Sequence, residues 1–205
     1  MKYEWKKQEK ALYGAKQIPA MITVPMQNYI MIDGKGNPND EDFSNRVSAL
    51  YTLAYAIKMG YKSTAIKGGD SFTIHDYTVY PLEGVWKQKQ SSELIKEELE
   101  YSIMIRQPDF ITGSMVHSAL ETVKKKKPNS LYEEIRFDNM QDGKCIEILH
   151  IGAFDDEPAS FEKMDNFAKE HNLTRDESCH REIYLNNANR VEKSKLKTIL
   201  RFSVK

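Results

Sequence analysis

The sequence is poor in cysteine and contains no long hydrophobic run. Its two cysteines, Cys145 and Cys179, form no Cys-x-x-Cys pair, and their spacing indicates neither a disulfide framework nor a zinc site. No apolar segment approaches the roughly 18 residues needed to cross a bilayer, and the first residues lack the apolar core of a signal peptide. We therefore expect a cytoplasmic protein with reduced cysteines, no membrane contact, and no metal or cofactor.

The chain also lacks a net charge. Its 205 residues include 30 Lys plus Arg and 30 Asp plus Glu, so the charge balance does not favour nucleic acid as the principal ligand. The lysine run 124–127 stands at the predicted end of a helix, where positive charge complements the helix dipole and keeps the surface soluble. We expect no direct nucleic-acid binding, and the sequence predicts no particular oligomeric state.

The predicted elements occur twice in the same order: strand, helix, strand, strand. The first set comprises a strand at 27–34, a helix from Asn39 or Asp40 to Gly60, and strands at 77–86 and 101–106. A helix that Thr112 caps leads to the second set, in which a hairpin turn at Asp142-Gly143 joins strands at 135–137 and 145–152. The predicted organisation of this single domain is an arm (1–26), a first repeat (27–108), a linking helix (109–134) and a second repeat (135–205).

Several residues match between the two halves. The matched motifs are Ile30-x-Ile32-x-Gly34 with Ile148-x-His150-x-Gly152, Phe43 with Phe161, Pro81-Leu82 with Tyr184-Leu185, and Met104-Ile105-Arg106 with Ile199-Leu200-Arg201. On this alignment Glu182 replaces Val79, and His150 replaces Ile32. The predicted fold class is α+β, a tandem repeat with pseudo-two-fold symmetry around a central ligand groove. We expect helices on one face of each sheet and the groove between the opposite faces.

One strand in the second repeat carries an unusual carboxylate. With a period of two, Ile183 faces the core, whereas His180, Glu182 and Tyr184 share the other face. An ordinary solvated strand face has the same pattern. The second interpretation is a ligand site, which the polar replacements in the second repeat favour.

The motifs together resemble the GyrI-like (gyrase-inhibitor-like) small-molecule-binding domains in their stand-alone bacterial form. The resemblance extends from Ile22 to Val204. Its motifs are Tyr29-Ile-Met-Ile-Asp-Gly-Lys-Gly-Asn-Pro-Asn39, Tyr80-Pro-Leu-Glu-Gly-Val-Trp86, Met104-Ile-Arg-Gln-Pro108, Val123-Lys-Lys-Lys-Lys-Pro128, His180-Arg-Glu-Ile-Tyr-Leu185 and Thr198-Ile-Leu-Arg201.

The resemblance implies a groove in which aromatic side chains and a glutamate bind flat, lipophilic and often cationic compounds, as in the effector domains of multidrug-responsive transcription activators. Some stand-alone members hydrolyse cyclopropanoid DNA-alkylating natural products, which implies a role in detoxification. The family's strand glutamate falls on Glu182 and its groove tryptophan on Trp86. Many relatives have a second aromatic residue directly after this tryptophan, whereas this chain has Lys87.

Glu182 has two chemical roles open to it. A carboxylate in an aromatic groove is partly desolvated, so it can activate a water for attack on a strained ring, or it can pair with a cationic ligand. We expect Glu147, Glu157 and Glu177 to be surface carboxylates. The predicted ligand-binding residues are Tyr80, Trp86, Tyr101, His150, Phe154, His180 and Tyr184.

Three classes of function remain open at this point. The first is a protein that binds, sequesters or detoxifies lipophilic or cationic small molecules. The second is an effector-type regulator, which would act through a partner because the arm 1–26 is too short for a helix-turn-helix. The third is an interaction module whose groove binds a peptide or a partner protein.

Overall fold

A computed structural model describes residues 1–69, 73–87, 96–176 and 179–205. Within these ranges the α-helices are α1 (Trp5–Gln8), α2 (Lys10–Tyr13), α3 (Glu41–Gly68), α4 (Gly113–Lys126) and α5 (Pro158–Glu170). The strands are β1 (Lys2–Tyr3), β2 (Ala20–Val24), β3 (Gln27–Lys35), β4 (Asp76–Tyr77), β5 (Leu82–Lys87), β6 (Glu100–Gln107), β7 (Arg136–Met140), β8 (Gly143–Ile151), β9 (Cys179–Tyr184) and β10 (Lys197–Ser203).

Eight strands form one antiparallel sheet in the order β2-β8-β10-β9-β5-β6-β3-β7, and β1 pairs with β4 separately. The sheet is strongly curled. Strand β7 lies at one edge and β8 lies next to the other edge, yet only Gln141 and Asp142 separate them. A chain this short spans about 11 Å at most, so the two edges must approach each other. The result is a half-barrel in a mixed α+β fold, and the predicted fold class is confirmed.

The predicted hairpin at Asp142-Gly143 is wrong. Strand β7 pairs with β3 of the first repeat, and β8 pairs with β2 from the arm. The short connection crosses the gap between the sheet edges instead of folding back on itself. Each repeat therefore receives its edge strand from a segment outside it.

Helices α3 and α5 cover the outer, convex face of the sheet. Leu50, Leu53 and Ile57 of α3 belong to the same buried cluster as Ile30 and Ile103. Helix α5 buries Met164 in a second cluster, together with Ile148 and Leu200.

Helix α3 continues beyond its predicted end at Gly60. Tyr61 and Ala65 extend its buried face, and a Cβ at Gly60 would meet open space, so this glycine neither breaks nor crowds the helix. The predicted cap of α4 is confirmed, because Thr112 accepts a hydrogen bond from the backbone nitrogen of Met115 at 3.4 Å. Within the described residues, no helix is long and apolar enough to cross a membrane.

The concave face is filled, and the prediction that it forms the ligand groove is wrong. Arg181 of the central strand β9 donates to both Glu83 and Asp142 there. The arm closes this face: the Tyr13 hydroxyl lies 3.3 Å from Glu83, and Arg201 donates to the carbonyl of Leu12 at 2.8 Å. Curling brings these groups together, and the strand face that carries Glu182 is the opposite one, which α3 and α5 cover.

The strand register also corrects the alignment of the two repeats. The equivalent rows of paired residues are Ile30–Ile105–Leu82 in the first repeat and Ile148–Leu200–Glu182 in the second. Glu182 therefore replaces Leu82, and its match with Val79 is wrong because it puts the two residues out of register. The counterpart is still apolar, so the polar replacement in the second repeat remains.

The exchanged edge strands lead to a prediction about folding. We expect the fragments 1–108 and 135–205, expressed separately, to show no sharp unfolding transition, whereas the full chain unfolds cooperatively. In the first fragment β2 lacks β8, and in the second β7 lacks β3. Circular dichroism during urea titration measures the transitions. A cooperative, monomeric fragment of either kind would contradict the expectation.

Candidate functional site

The candidate site lies on the convex face, where the two repeats meet. The central strands β5 and β9 pair so that Gly84 is opposite Glu182 and Trp86 is opposite His180. Residues directly opposite each other in an antiparallel pair point to the same face. Glu182, His180 and Trp86 therefore lie together between the helices α3 and α5.

A chain of hydrogen bonds leads to Glu182. The Trp86 Nε1 donates to the Tyr184 hydroxyl at 2.9 Å, and this hydroxyl donates to Glu182 Oε2 at 2.7 Å. His180 Nε2 lies 2.8 Å from Glu182 Oε1, and the Glu182 side chain is 11% exposed. Burial, together with the nearby Glu182 charge, raises the pKa of Tyr184 well above its usual value, so the hydroxyl keeps its proton. Both partners are thus placed to stabilise a charged carboxylate.

Aromatic rings line the groove next to this carboxylate. The ring centroids of Trp86 and Tyr101 are 5.2 Å apart, and Phe43 of α3 stacks on Trp86 at 5.8 Å. Phe154 contacts Tyr184 edge to face at 5.9 Å and is 43% exposed. Trp86 and Tyr101 are only 6% and 4% exposed, so Phe154 offers a ligand the most apolar surface beside the carboxylate.

Two glycines leave room for these rings. A Cβ on Gly34 would lie 2.3 Å from the Tyr101 ring, and a Cβ on Gly84 would lie 2.7 Å from the Trp86 Nε1. Gly34 was expected to end a strand, but it lies inside β3, opposite Tyr101. Both positions require glycine because a ring occupies the space above the backbone.

Glu157 is a second buried carboxylate near Glu182, and the prediction that it lies on the surface is wrong. The residue is 7% exposed, and its Oε1 has no hydrogen-bond partner in the described part of the protein. Burial, the charge of Glu182 and that of Asp155 raise the pKa of Glu157 to about 9. It immediately precedes α5, so the packing of that helix directs it inward.

The other two carboxylates that were expected on the surface differ from Glu157. Glu147 is also buried, but it faces the concave side and accepts two hydrogen bonds from Arg201, so the surface prediction is wrong for it as well. Glu177 lies outside the described residues.

Tyr80 and His150 were predicted to bind the ligand, but both side chains already have partners within the protein. Tyr80 precedes β5, stacks on Trp5 at 5.9 Å and hydrogen-bonds Glu9 of the arm, so it is not part of the groove. Pro81 interrupts the strand pattern there, which lets Tyr80 turn towards the arm. His150 lies on the convex face, but its two ring nitrogens contact Ser160 and the carbonyl of Ala153, each at 3.0 Å.

His180 also borders an open depression of about 500 Å³ on the outer side of α5. Phe161 packs edge to face against the His180 ring with a centroid distance of 4.8 Å. The guanidinium of Arg175 lies 5.7 Å from the centroid of the Phe161 ring, on the same side. Within the described ranges, no group of three His, Cys, Asp or Glu side chains is arranged to hold a metal ion.

Sequence reasoning missed Phe43 and Glu157 as members of the site. Phe43 was marked by its match with Phe161, which packs at the equivalent place on α5. Glu157 gave only the signal of an acidic residue before a helix-starting proline, which is typical of exposed helix ends. Its burial depends on how α5 packs, which no local pattern indicates.

The fold and the aromatic, acidic groove define a small-molecule-binding domain. The chain belongs to the GyrI-like family, described as small molecule binding domains, whose model matches residues 19–205.

Two solved structures are similar to this chain over nearly its full length, and a third shares its fold. A hydrolase from Listeria innocua is 33% identical, with a TM-score of 0.88 over all of both chains. Another structure of a hydrolase from this organism is 32% identical, with a TM-score of 0.85, and covers 99% of this chain and 100% of its own. The EcmrR C-terminal domain shares the fold at 11% identity, with a TM-score of 0.54 over 91% of this chain and 96% of its own. No curated protein sequence matches this chain.

Proposed function

We propose that the protein binds flat, lipophilic, often cationic compounds in the groove between α3 and α5 and hydrolyses cyclopropanoid compounds there. The observation that carries the proposal is the placement of Glu182, a nearly buried carboxylate held by His180 and Tyr184 next to the Trp86 ring. The 33% identity over the full length of a Listeria innocua hydrolase supports turnover in addition to binding.

In the proposed reaction Glu182 acts as the general base. It removes a proton from a water whose oxygen forms a bond to a ring carbon of the cyclopropane while a ring C–C bond breaks. In a cyclopropane conjugated to a carbonyl, the released electron pair moves to the carbonyl oxygen. That oxygen then receives a proton from solvent while Glu182 releases its proton to solvent, so the carboxylate is restored and the product is the substrate plus one water. The hydrogen bonds from Tyr184 and His180 keep the carboxylate in place for this step.

The aromatic walls provide the binding energy for such a compound. Contact with the exposed Phe154 ring and with the edge of the Phe43–Trp86 stack removes apolar ligand surface from water, and the carboxylate attracts a cationic group. A groove with these properties also suits a protein that sequesters such compounds without changing them. Binding and turnover must therefore be measured separately.

Mass spectrometry separates the two functions. The purified protein is incubated with a carbonyl-conjugated cyclopropanoid, and the compound is analysed over time against a reaction without protein. We expect a protein-dependent product heavier by one water. Saturable binding with an unchanged compound would show a sequestering protein and contradict the hydrolase proposal.

Trp86 gives a second test of the groove. We expect N-methylacridinium, a flat cation, to change the fluorescence of Trp86 on binding, and Trp86→Ala to weaken this binding by about tenfold. Trp5 is the other tryptophan and packs in the arm interface, so Trp5→Phe removes its emission without touching the groove. The matched Trp5→Phe protein should retain both the signal and the affinity. Equal binding by Trp86→Ala, with no change in tryptophan emission, would contradict the assignment.

A further inference from the structure

Two neighbouring buried carboxylates at the proposed groove differ in character. Glu182 accepts hydrogen bonds from Tyr184 and His180, whereas one oxygen of Glu157 has no partner among the described residues. The backbone of Glu157 is fixed because its carbonyl accepts from Ser160 and Phe161 in the first turn of α5. The residue as a whole is only 7% exposed. An unpartnered carboxylate at such a position requires an explanation.

Nearby charged groups show where a proton resides. Glu157 is affected by Glu182 on β9 and by Asp155 in the preceding turn, both of which are acidic. Lys96 pairs with Asp155 at 3.7 Å, on the exposed side of that residue, and does not contact Glu157. His180 contacts Glu182, and His150 contacts Ser160 at the start of α5. The N-terminus of α5 favours an anion, but burial and the two acidic neighbours outweigh it, because they raise the pKa of Glu157 to about 9.

Two carboxylates in a poorly solvated groove do not both ionise readily, so the pair retains one proton near neutral pH. The proton resides on Glu157, because this side chain is buried beside two acidic residues and its Oε1 has no partner among the described residues. The ligand-free groove then holds one exchangeable proton.

We infer that Glu157 is a second cation-binding carboxylate of the groove, and that a lipophilic cation binds in exchange for the proton that Glu157 carries. The inference rests on the proposed binding function and specifies the class of ligand. The charge balances, because one positive charge enters the groove as one proton leaves for solvent. A neutral ligand of the same shape has no charge to exchange and leaves the proton in place.

The exchange predicts a dependence of affinity on pH. A bound cation favours the ionised form of Glu157, so the affinity for a permanent cation rises with pH below the pKa of the free groove and levels off above it. We expect affinity to increase by at least about tenfold between about pH 6.5 and about pH 8.5. The glutamine in Glu157→Gln does not titrate, so the affinity of this variant for the cation should vary little with pH.

Isothermal titration calorimetry with N-methylacridinium, in buffers of different ionisation enthalpy at about pH 7.5, measures the protons released. We expect close to one proton per cation for the wild-type protein and almost none for Glu157→Gln. Glu170→Gln, an exposed carboxylate at the other end of α5, is the matched control and should behave as wild type. Acridine, measured at about pH 8 where it is uncharged, should release none.

The outcomes separate the inference from the function on which it rests. Tight binding of N-methylacridinium by the wild-type protein, with no proton release and no pH dependence, overturns the inference and leaves the binding function intact. Proton release that persists in Glu157→Gln assigns the proton to another group and also overturns it. Failure of the wild-type protein to bind either compound overturns the proposed binding function, and with it the inference.

Discussion

Replacing Glu182 with glutamine is expected to abolish hydrolysis of a cyclopropanoid while the protein remains folded. Glutamine has the shape of glutamate and can still accept a hydrogen bond from Tyr184, but it cannot remove a proton from water. The loss of charge should also weaken the binding of N-methylacridinium relative to uncharged acridine by about tenfold, or about 1.4 kcal/mol. Mass spectrometry measures the first effect and calorimetry the second.

Two controls make the Glu182 result specific. Tyr184→Phe keeps the carboxylate and removes one of its hydrogen bonds, so it should slow hydrolysis without eliminating the preference for the cation. Urea denaturation of Glu182→Gln should match that of the wild-type protein. Full hydrolytic activity in Glu182→Gln, with an unchanged preference between the two ligands, would contradict the role of this residue.

Strand periodicity was sufficient to predict which residues accompany Glu182. His180, Glu182 and Tyr184 alternate with Arg181 and Ile183, and the structure places the two sets on opposite faces. This prediction works because side chains in a strand alternate strictly, whatever the strand pairs with. The contacts of Glu182 with Trp86 and Phe43 depend on which strands and helices come together, and only the family resemblance indicated the tryptophan.

Longer-range features were not predictable in the same way. The sequence does not show that β7 crosses to β3, because the turn residues Asp142-Gly143 have the pattern of a local hairpin. The same crossing determines which face is concave and therefore on which face the groove lies. The burial of Glu157 likewise follows from the docking of α5. Local patterns thus identified the strands and their faces, whereas the curl of the sheet determined the site.

The concave face holds a buried ion cluster that sequence reasoning did not indicate. The Arg181 guanidinium donates to both carboxylate oxygens of Asp142, each at 2.7 Å, and to Glu83 at 3.0 Å. It also lies 5.3 Å from the centroid of the Tyr29 ring. Burial raises the pKa of Glu83, and the positive charge of Arg181 opposes this effect. Arg181 therefore joins a central strand to the loop between β7 and β8.

Arg181→Met should destabilise the protein by about 3–5 kcal/mol at neutral pH, because it leaves the buried Glu83 and the half-buried Asp142 without their partner. Arg136→Met is the matched control: Arg136 pairs with Asp33 in the same sheet, but these side chains are 42% and 61% exposed, against 4% for Arg181. Exposed ion pairs contribute little to folding stability, so the free energy of unfolding of the control should fall by less than about 1 kcal/mol. Urea denaturation at two pH values measures both variants.

The cause of the stability loss in Arg181→Met can be identified from its dependence on pH. Without Arg181, the folded-state pKa of Glu83 should rise further above its unfolded value, and such a group costs stability once the pH exceeds the unfolded pKa of about 4.3. The deficit of Arg181→Met should therefore shrink as the pH falls from about 7 towards about 5, because a protonated Glu83 needs no counter-charge. A deficit that is independent of pH, or one no larger than that of Arg136→Met, would show that packing rather than an unpaired charge explains the role of Arg181.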